Sequence, residues 1–365
     1  MSPRPSPTRS PAAPALPERG RALAGALVRW FRAGHRVLPW RRTRDPYQVW
    51  IAEIMLQQTR VEVVVPYYER FVARFPTPDA LAGAPLDDVL AAWAGLGYYR
   101  RARHLHAAAA LVVREHAGEL PAEDDALRAL PGIGRYTAGA IRSIAFGHAA
   151  PIVDGNVARV LSRLFALSGG PGDTAWEKRL WTLASALVPA ADPSAFNQGL
   201  MELGATVCTP RTPRCEACPL ARFCKAHAAG REEAHPPAKK RAKIKRIERW
   251  VLLCVRAKDG AVWMRRRGDD EHNAGQWEAP LVAPAAAPEG SPAGARELGT
   301  LRHAILDRDY RVRVFALRTP PKDTGAGRWR LVGENGVAGG DATGTTVPVT
   351  TITRKALALI PRPVG

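Results

Sequence analysis

The chain has 365 residues, 46% of them hydrophobic and 24% charged, which is enough for two folded domains of ordinary size and excludes a disordered scaffold. Its 53 lysines and arginines outnumber its 34 aspartates and glutamates, and the formal charge of +19 favours a polyanionic partner. Nucleic acid is the leading candidate, although charge alone also fits a ribosome or an anionic membrane surface.

No run of the sequence approaches the roughly 18 apolar residues that a membrane-spanning helix needs, and the start has no apolar core of signal-peptide type. We therefore expect a cytoplasmic protein that makes no membrane contact and is nucleoid-associated if prokaryotic. Residues 1–20 are rich in proline and poor in acids, which predicts a flexible tail and leaves organelle targeting open.

The next two hundred residues have a helical pattern. Apolar residues recur at intervals of three and four, as in Leu23, Leu27 and Trp30, and the pattern breaks at proline or glycine. This predicts an all-α domain over residues 21–225.

Glu53 lies in the middle of one predicted helix, VWIAEIMLQQT, and its neighbours are strongly apolar. A lone glutamate on an amphipathic helix is usually solvated, but these neighbours favour partial burial. Burial raises the pKa of a carboxyl group and keeps a proton available near neutral pH, as a general acid requires.

A glycine-rich turn, LPGIG, separates two helical stretches, and Asp154 follows 24 residues after Leu130 in PIVDGNVARVL. Gly132 and Gly134 permit a tight turn whose backbone amides could bind a phosphate, although many structural turns contain two glycines. From its residues alone, the Asp-Gly-Asn sequence predicts that Asp154 caps a helix that begins near Val157.

Four of the five cysteines cluster with the spacing C-x6-C-x2-C-x5-C, as Cys208, Cys215, Cys218 and Cys224. Four thiolates on so short a segment can surround one metal centre, either zinc or a four-iron cluster. Disulfides are the less favoured alternative, because the chain has no secretory features.

A basic, Pro-containing stretch over residues 226–248 predicts an interdomain linker, and residues 249–365 predict a smaller domain that contains β-strands. Within it, AKDG between two β-rich runs predicts a hairpin, and YRVRVFAL alternates with the period of a strand.

The order of LPGIG, VDGNV and the four cysteines resembles the helix-hairpin-helix DNA glycosylases that carry an iron-sulfur cluster, and WIAEIMLQQT resembles their adenine-specific MutY branch. The resemblance is close over residues 21–230. It implies an α+β chain, in which an all-α glycosylase domain with a [4Fe-4S] loop over 208–224 precedes a Nudix-like α/β domain. The glutamate-rich Nudix helix is missing, which argues against a nucleotide pyrophosphatase.

The resemblance also implies catalytic roles. Glu53 would protonate adenine at N7 and then activate water, while Asp154, held by Asn156, would stabilise the sugar cation as an ion pair or a covalent adduct. Tyr136 stands where endonuclease III-like relatives have a lysine that forms a Schiff base, so a monofunctional enzyme is expected. Tyr136 could hydrogen-bond Asp154 or the base, or simply pack beside the turn.

Further site residues follow from the resemblance alone, since their segments would otherwise be read as ordinary helix packing. The residues expected to line the adenine pocket are Trp40, Arg41 and Gln198. Those expected to bind the DNA, by wedging into the duplex or contacting its backbone, are Gln57, Gln58, Thr59, Leu96, Tyr98, Gly132, Gly134 and Thr137. Basic residues of the cysteine loop could also face phosphates.

One segment departs from the family. MutY-like proteins present a Phe-Ser-His turn that recognises 8-oxoguanine, and the best-matching segment, HAILDRDYRVRV, has Ile305, Leu306 and Asp307 there. Either other residues sense the damaged base, or discrimination against ordinary A:G mispairs is altered.

The leading hypothesis is a monomeric, monofunctional adenine DNA glycosylase that acts on double-stranded DNA with A:8-oxoguanine or A:G mispairs. The alternatives are an endonuclease III-like glycosylase of another base specificity and a catalytically silent mismatch-binding protein. Retention of both carboxyl groups disfavours the silent protein.

Overall fold

The computed structural model describes residues 18–237, 244–268, 271, 275–284, 292, 294–305, 307–320, 327–331 and 349–360. Most of the predicted tail over 1–20 therefore lies outside the described residues, and a helix begins at Glu18. In the described part of the chain, no helix is both long and apolar enough to cross a bilayer.

The described residues form two compact units, and neither is a continuous stretch of chain. The first unit draws on Met1–Val72 and Leu111–Lys240, and the second on Ala73–Ala110 and Arg241–Gly365. The second unit thus combines a helical segment with the C-terminal strands. The linear division at residues 225 and 248 remains a prediction.

The fold is α+β, with helices from Glu18 to Ala228, then the strands, and a last described helix after them. The helices, in chain order, are α1 (Glu18–Ala33), α2 (Pro46–Leu56), α3 (Val61–Arg74), α4 (Pro78–Gly83), α5 (Leu86–Ala92), α6 (Arg100–His116), α7 (Asp124–Ala129), α8 (Arg135–Ile144), α9 (Gly155–Phe165), α10 (Thr174–Leu187), α11 (Pro193–Thr206), α12 (Lys225–Ala228) and α13 (Thr351–Leu357). Short 3₁₀ turns lie at Pro39–Arg41, Cys215–Ala217, Ala221–Phe223 and Glu232–Ala234.

Helix α2 forms the centre of the first unit. Asp45 caps it by accepting hydrogen bonds from the backbone amides of Tyr47 and Gln48, and Pro46 occupies its first position, where a missing amide proton costs nothing. All residues from Val49 to Met55 are buried. A helix that is apolar on every side can only lie inside the core, which forces Glu53 inside with it.

Helices α8, α9 and α11 pack around a small buried polar network. Asn197 of α11 donates from Nδ2 to the Ser143 hydroxyl of α8 and to the Ala150 carbonyl, both at 2.8 Å. A Cβ on Gly204 of α11 would lie 2.6 Å from Asn156 Cβ. Because the glycine allows this approach, α11 lies directly against the start of α9.

The second unit contains two sheets. Their strands are β1 (Lys245–Cys254), β2 (Val262–Arg266), β3 (Trp277–Glu278), β4 (Leu281–Val282), β5 (Arg296–Ile305), β6 (Arg308–Leu317) and β7 (Gly327–Arg330). One sheet has the order β4-β1-β6-β5, with β1 parallel to β6, and the other has the order β3-β2-β7. The core between these strands and α13 includes Val251, Val314 and Ile352.

The strand predicted at YRVRVFAL is present as β6, but the hairpin predicted across AKDG is wrong. Strands β1 and β2 belong to different sheets and are joined by the single antiparallel bridge Val255 to Val262. The turn itself forms, with the Gly260 amide donating to the Arg256 carbonyl. The strands diverge because β1 pairs with β6 along its whole length, whereas β2 pairs with β3 and β7.

Residues in the predicted linker have regular structure at both ends of it. Ala226 is buried in α12, and Lys245 already belongs to β1. Residues 238–243, between these ends, lie outside the described residues.

Gly139 provides a test of this packing. A Cβ there would lie 2.2 Å from the Pro151 carbonyl oxygen, so Gly139→Ala must displace the backbone. We expect it to lower the free energy of unfolding by about 1–3 kcal/mol in urea denaturation. Gly34→Ala is the matched control in the same unit, because no atom lies within 4 Å of its Cβ, and it should leave stability nearly unchanged. Equal stabilities of the two variants would contradict the packing described.

Candidate active site

A cleft of about 740 Å³ opens in the first unit and is lined by residues of α2, α8, α9 and α11 and by the segments next to them. It brings together most of the residues predicted from the sequence. These are Trp40, Arg41, Glu53, Gln57, Gln58, Thr59, Gly132, Gly134, Tyr136, Thr137, Asp154, Asn156 and Gln198.

Glu53 reaches the cleft from the buried centre of α2, and only 5% of its surface is exposed. Its Oε2 accepts a hydrogen bond of 2.8 Å from the Tyr136 hydroxyl. Burial raises the pKa of Glu53, and the nearby charge of Asp154 adds to the rise, whereas the Tyr136 hydrogen bond and the charge of Arg41 oppose it. The resulting pKa is about 7. Glu53 therefore carries a proton at pH values where an exposed glutamate would not.

Asp154 caps α9, and its two carboxylate oxygens accept hydrogen bonds from different donors. Oδ1 accepts the Val157 amide at 2.7 Å, and Oδ2 accepts Asn156 Nδ2 at 3.1 Å. Burial raises the pKa of Asp154, whereas these donors and the charge of Arg159 oppose the rise. Asp154 thus has several groups that stabilise its ionised form, while Glu53 has a single hydrogen-bond donor.

Tyr136 lies near the start of α8 and binds Glu53, not Asp154. Its hydroxyl donates to Glu53 Oε2 and lies 3.1 Å from Met201 Sδ. Of the alternatives considered for Tyr136, the hydrogen bond to Asp154 is not formed, because the Asp154 oxygens accept from the backbone of α9 and from Asn156. Burial, followed by the nearby charges of Glu53 and Asp154, raises the pKa of Tyr136 well above 10, so its phenol remains neutral.

Arg41 is fixed by a buried glutamate that we did not predict. Glu202 of α11 accepts Arg41 Nη2 at 2.9 Å and also binds Arg36 through two side-chain hydrogen bonds of 2.9 Å. Although burial alone would raise it, these arginines lower the pKa of Glu202 to about 2. An acidic residue inside the apolar stretch FNQGLMELG was the signal that could have identified Glu202.

The other predicted pocket residues are held less tightly. Trp40 is buried and packs edge to face on Tyr68, with 5.4 Å between ring centroids. Gln198 Nε2 donates to the Ser194 hydroxyl at 3.1 Å. An amide bound only to a hydroxyl on its own helix can change partner when a ligand enters the cleft.

The C-terminal end of α2 and the N-terminal end of α8 meet at the rim of the cleft. Gln57 Nε2 donates to the Thr137 hydroxyl at 3.4 Å, and Gln58 has a left-handed backbone with φ of 56°. Gly132 has φ of 81°, which a residue with a Cβ rarely adopts, and Gly134 precedes α8 without a side-chain cap. The first amides of α8 therefore have no side-chain acceptor there.

Leu96 and Tyr98 belong to the second unit. Leu96 is buried, whereas Tyr98 has a left-handed backbone and a 41% exposed side chain. They follow α5, on the short segment that leads into α6.

The four clustered cysteines surround one cavity beside α9, and none of them forms a disulfide. A single zinc ion would hold four sulfur atoms roughly 3.8 Å apart. In the described part of the chain, the ligand atoms that lie within 4.8 Å of one another belong to Cys215, His227 and Glu232, a set with only one of the four cysteines.

Arg163 of α9 fastens the cysteine loop. It is only 2% exposed and donates to the carbonyls of Thr209 at 2.7 Å and Pro210 at 3.0 Å, and to the Cys208 sulfur at 3.4 Å. Its Nε donates to the carbonyls of Glu232 and His235. One buried guanidinium thus joins the start of the loop to the segment that follows it.

Arg159, one helical turn earlier, links the same loop to the start of α9. Its Nε donates to the Cys208 carbonyl at 2.8 Å, and its Nη2 donates to Asn156 Oδ1 at 2.8 Å. We did not predict Arg159 or Arg163, since two arginines four positions apart on an amphipathic helix are usually exposed to solvent.

Two segments of the chain match known protein families. Residues 51–186 match the HhH-GPD superfamily of base excision DNA repair proteins, and residues 208–224 match the iron-sulfur binding domain of endonuclease III. The second match covers all four clustered cysteines. The chain therefore carries the [4Fe-4S] cluster of this family, and the zinc alternative is set aside. Cys208, Cys215, Cys218 and Cys224, which lie in the matched segment, remain its predicted ligands.

Similar curated proteins are adenine DNA glycosylases. The human protein is 48% identical over 221 residues, which is 58% of this chain and 40% of the human protein. The protein from Buchnera aphidicola subsp. Acyrthosiphon pisum (strain APS) is 36% identical over 246 residues, which is 67% of this chain and 70% of that protein. The chain thus spans less than half of its mammalian relatives and about two thirds of the bacterial one.

Solved structures share the fold of the helical region. A thermostable thymine-DNA glycosylase is 32% identical with a TM-score of 0.53, and 58% of this chain covers 98% of that one. An endonuclease III in a trapped covalent complex with DNA is 26% identical with a TM-score of 0.50, and 58% of this chain covers 97% of that one.

The buried carboxyl group of Glu53 predicts a dependence of stability on pH. Its folded pKa of about 7 exceeds the ordinary value of 4.5, so burial destabilises the fold progressively as pH rises from 4.5 to 7, by roughly 3 kcal/mol in all. Glu53→Gln cannot ionise. We expect its unfolding free energy to exceed that of the wild type by more at pH 8 than at pH 5 in urea titrations, and a difference independent of pH would contradict the assignment.

The contacts of Arg163 predict a role in retaining the cluster. Arg163→Met keeps most of the side-chain volume but leaves four carbonyls without their donor. We expect the wild type to contain about four irons per chain and the variant to lose iron faster to a chelator. Arg179→Met is the control. Arg179 is an exposed residue of α10, and its guanidinium donates to the Ser168 carbonyl. Equal rates of iron loss would contradict the role.

The stretch that matches the repair superfamily includes Glu53, Tyr136 and Asp154, and the stretch that matches the iron-sulfur domain includes the four clustered cysteines. The Buchnera adenine DNA glycosylase is 36% identical to this chain, and the matched region covers 70% of it. The chain belongs to the MutY family of adenine DNA glycosylases, within the helix-hairpin-helix superfamily of base excision DNA repair proteins.

Proposed function

We propose that the protein is a monofunctional adenine DNA glycosylase that removes adenine opposite 8-oxoguanine or guanine from double-stranded DNA. The observation that carries the proposal is the pairing of a buried carboxyl group, that of Glu53, with a part-buried one, that of Asp154, on one cleft. Glu53, with a pKa raised to about 7, can donate a proton. Burial also raises the pKa of Asp154, but the Val157 amide and the Asn156 side chain oppose that rise and favour its ionised form.

The reaction needs both groups, because adenine is a poor leaving group as an anion. The Glu53 carboxyl gives its proton to N7 of the base, and the bond between C1′ and N9 then breaks with its electron pair moving to the base. The Asp154 carboxylate faces the positive charge that develops on the sugar. Glu53, now ionised, accepts a proton from the water that attacks C1′, which restores its starting state.

Tyr136 supports the monofunctional assignment. A phenol cannot form a Schiff base, and no lysine lines the cleft among the described residues. The Tyr136 hydroxyl instead orients the Glu53 carboxyl through their 2.8 Å hydrogen bond. The expected product is therefore an abasic site in an intact strand.

DNA binding is supported by the net charge of +19 and by the amides at the start of α8, which suit a backbone phosphate. A flipped adenine would lie in the cleft between Trp40, Arg41 and Gln198. The [4Fe-4S] cluster, when bound, supplies structure to the loop over 208–224, since hydrolysis of a glycosidic bond transfers no electrons.

The turn between β5 and β6 is the segment that corresponds to the 8-oxoguanine-binding turn of the family. Ile305 ends β5 and pairs with Arg308 at the start of β6, and Leu306 lies outside the described residues. A site with Ile305 and Asp307 in place of the family's Phe-Ser-His turn has fewer hydrogen-bonding groups for the damaged base. We expect the preference for A:8-oxoguanine over A:G to be smaller than a complete turn would give.

Single-turnover assays on duplexes with A:8-oxoguanine, A:G, T:G or an oxidised pyrimidine test the function. We expect release of adenine alone, with strand breaks only after alkali. Glu53→Gln should lower the rate at least about 100-fold and retain binding. Release of thymine, or cutting without alkali, would instead support the endonuclease III-like alternative, and binding without any release would support the silent mismatch-binding alternative.

The pH dependence of base release tests the role of Glu53. Because the protonated form is the active acid, the single-turnover rate should fall as pH rises through about 7. Tyr136→Phe removes a hydrogen bond that lowers the pKa of Glu53, so the decline should move to higher pH. A decline at the same pH in both proteins would show that another group controls the rate.

A further inference from the structure

The segment over residues 95–98 has an unusual backbone. Gly95 and Gly97 have φ of 112° and 72°, and Tyr98, which has a Cβ, has φ of 48°. A non-glycine residue in the left-handed region costs on the order of 1 kcal/mol and persists only when its surroundings enforce it. The side chain held at this position, Tyr98, is aromatic and 41% exposed.

Arg101, in the first turn of α6, supplies much of that enforcement. Its Nη2 donates to the carbonyls of Leu96 at 3.3 Å and Gly97 at 3.2 Å. The Gly97 carbonyl also accepts Trp93 Nε1 at 3.1 Å. Two successive carbonyls of the segment thus accept hydrogen bonds from the same guanidinium group.

The guanidinium of Arg101 also lies against two aromatic rings. Its Cζ is 5.3 Å from the Trp93 ring centroid and 5.6 Å from that of Tyr98. The Trp93 ring is completely buried, whereas the Tyr98 ring is partly exposed to solvent. Burial lowers the pKa of Arg101 to about 10, which leaves it charged at neutral pH.

This arrangement requires an arginine. A planar guanidinium can stack on rings through its faces while its edge donates to carbonyls, whereas a lysine ammonium cannot do both. An exposed aromatic ring on a preset backbone can enter a base stack without first losing its conformational freedom.

We propose that Arg101 is the positioning residue that holds Tyr98 ready to enter the duplex beside the mispair. The inference rests on the proposed function, since it assumes a DNA duplex from which a base must be flipped. Arg101 touches no reacting atom and acts through Tyr98.

The test measures base unstacking separately from chemistry. A duplex with 2-aminopurine beside the mispair is mixed with protein in the Glu53→Gln background, so that no base is released during the measurement. The variants are Arg101→Met, Arg101→Lys, Tyr98→Leu and the double variant Arg101→Met with Tyr98→Leu. Arg114→Met is the matched control, because Arg114 lies on the same helix with its side chain 66% exposed.

We expect Tyr98→Leu and Arg101→Met each to lower the equilibrium constant for unstacking about tenfold, the range of one base–aromatic stacking contact. Arg101→Lys should show a loss in the same direction, which keeps the test decisive if Arg101→Met folds poorly. The double variant should be no worse than Tyr98→Leu alone, because Arg101 has no effect once the ring is gone. Thermal melting identifies any variant that is unfolded.

Wild-type unstacking in Arg101→Lys and Arg101→Met, or a double variant that loses the product of both factors, would overturn the inference. Parallel release assays with Glu53 intact separate it from the proposed function. Unstacking that depends on Arg101 in a protein that releases no adenine would refute the glycosylase proposal and sustain this inference. Normal adenine release with no effect of Arg101 on unstacking would support the glycosylase proposal and overturn this inference.

Discussion

The burial of Glu53 is the constraint on which the site depends. Ionising a carboxyl group among apolar side chains costs several kcal/mol, so the group keeps its proton unless something nearby stabilises its charge. Helix α2 places Glu53 in such surroundings because its residues are apolar on all sides. The Tyr136 hydroxyl offsets only part of the cost, and the pKa remains near 7. The same burial that weakens the fold at high pH thus supplies an acid at neutral pH.

The second carboxyl group of the cleft, that of Asp154, has more hydrogen-bond donors around it than Glu53 has. Asp154 begins a helix, where backbone amides favour negative charge, and Asn156 adds a further donor. Arg159 orients Asn156, and Arg163 binds the cysteine loop from the same helix. Helix α9 therefore carries the anionic residue at its start and the anchor of the cluster loop along its side.

Much of this site could be predicted from local patterns. The apolar neighbours of Glu53 predicted its burial, the Asp-Gly-Asn sequence predicted a helix cap at Asp154, and the cysteine spacing predicted a metal centre. These features depend on residues close in sequence. Gln57, Thr137 and Gln198 could be placed in one cleft only through the family resemblance, because the contacts between α2, α8 and α11 join distant parts of the chain.

The remaining features depend on tertiary contacts that leave little local signal. Arg163 resembles a surface arginine in sequence, yet it is buried because the carbonyls of the cysteine loop converge on it. The AKDG turn formed as predicted, but the competition among β3, β6 and β7 for partners placed its two strands in separate sheets. Likewise, only the packed structure groups residues 73–110 with the C-terminal strands.

The central claim is that Glu53 is protonated in the resting protein near neutral pH. Infrared difference spectroscopy between the wild type and Glu53→Gln, recorded from about pH 5 to about pH 9, measures the carboxyl group directly. We expect a protonated carboxyl band that is present only in the wild type and disappears with a midpoint near pH 7. A band already absent at pH 5 would mean that Glu53 is ionised at rest, and it would contradict the account.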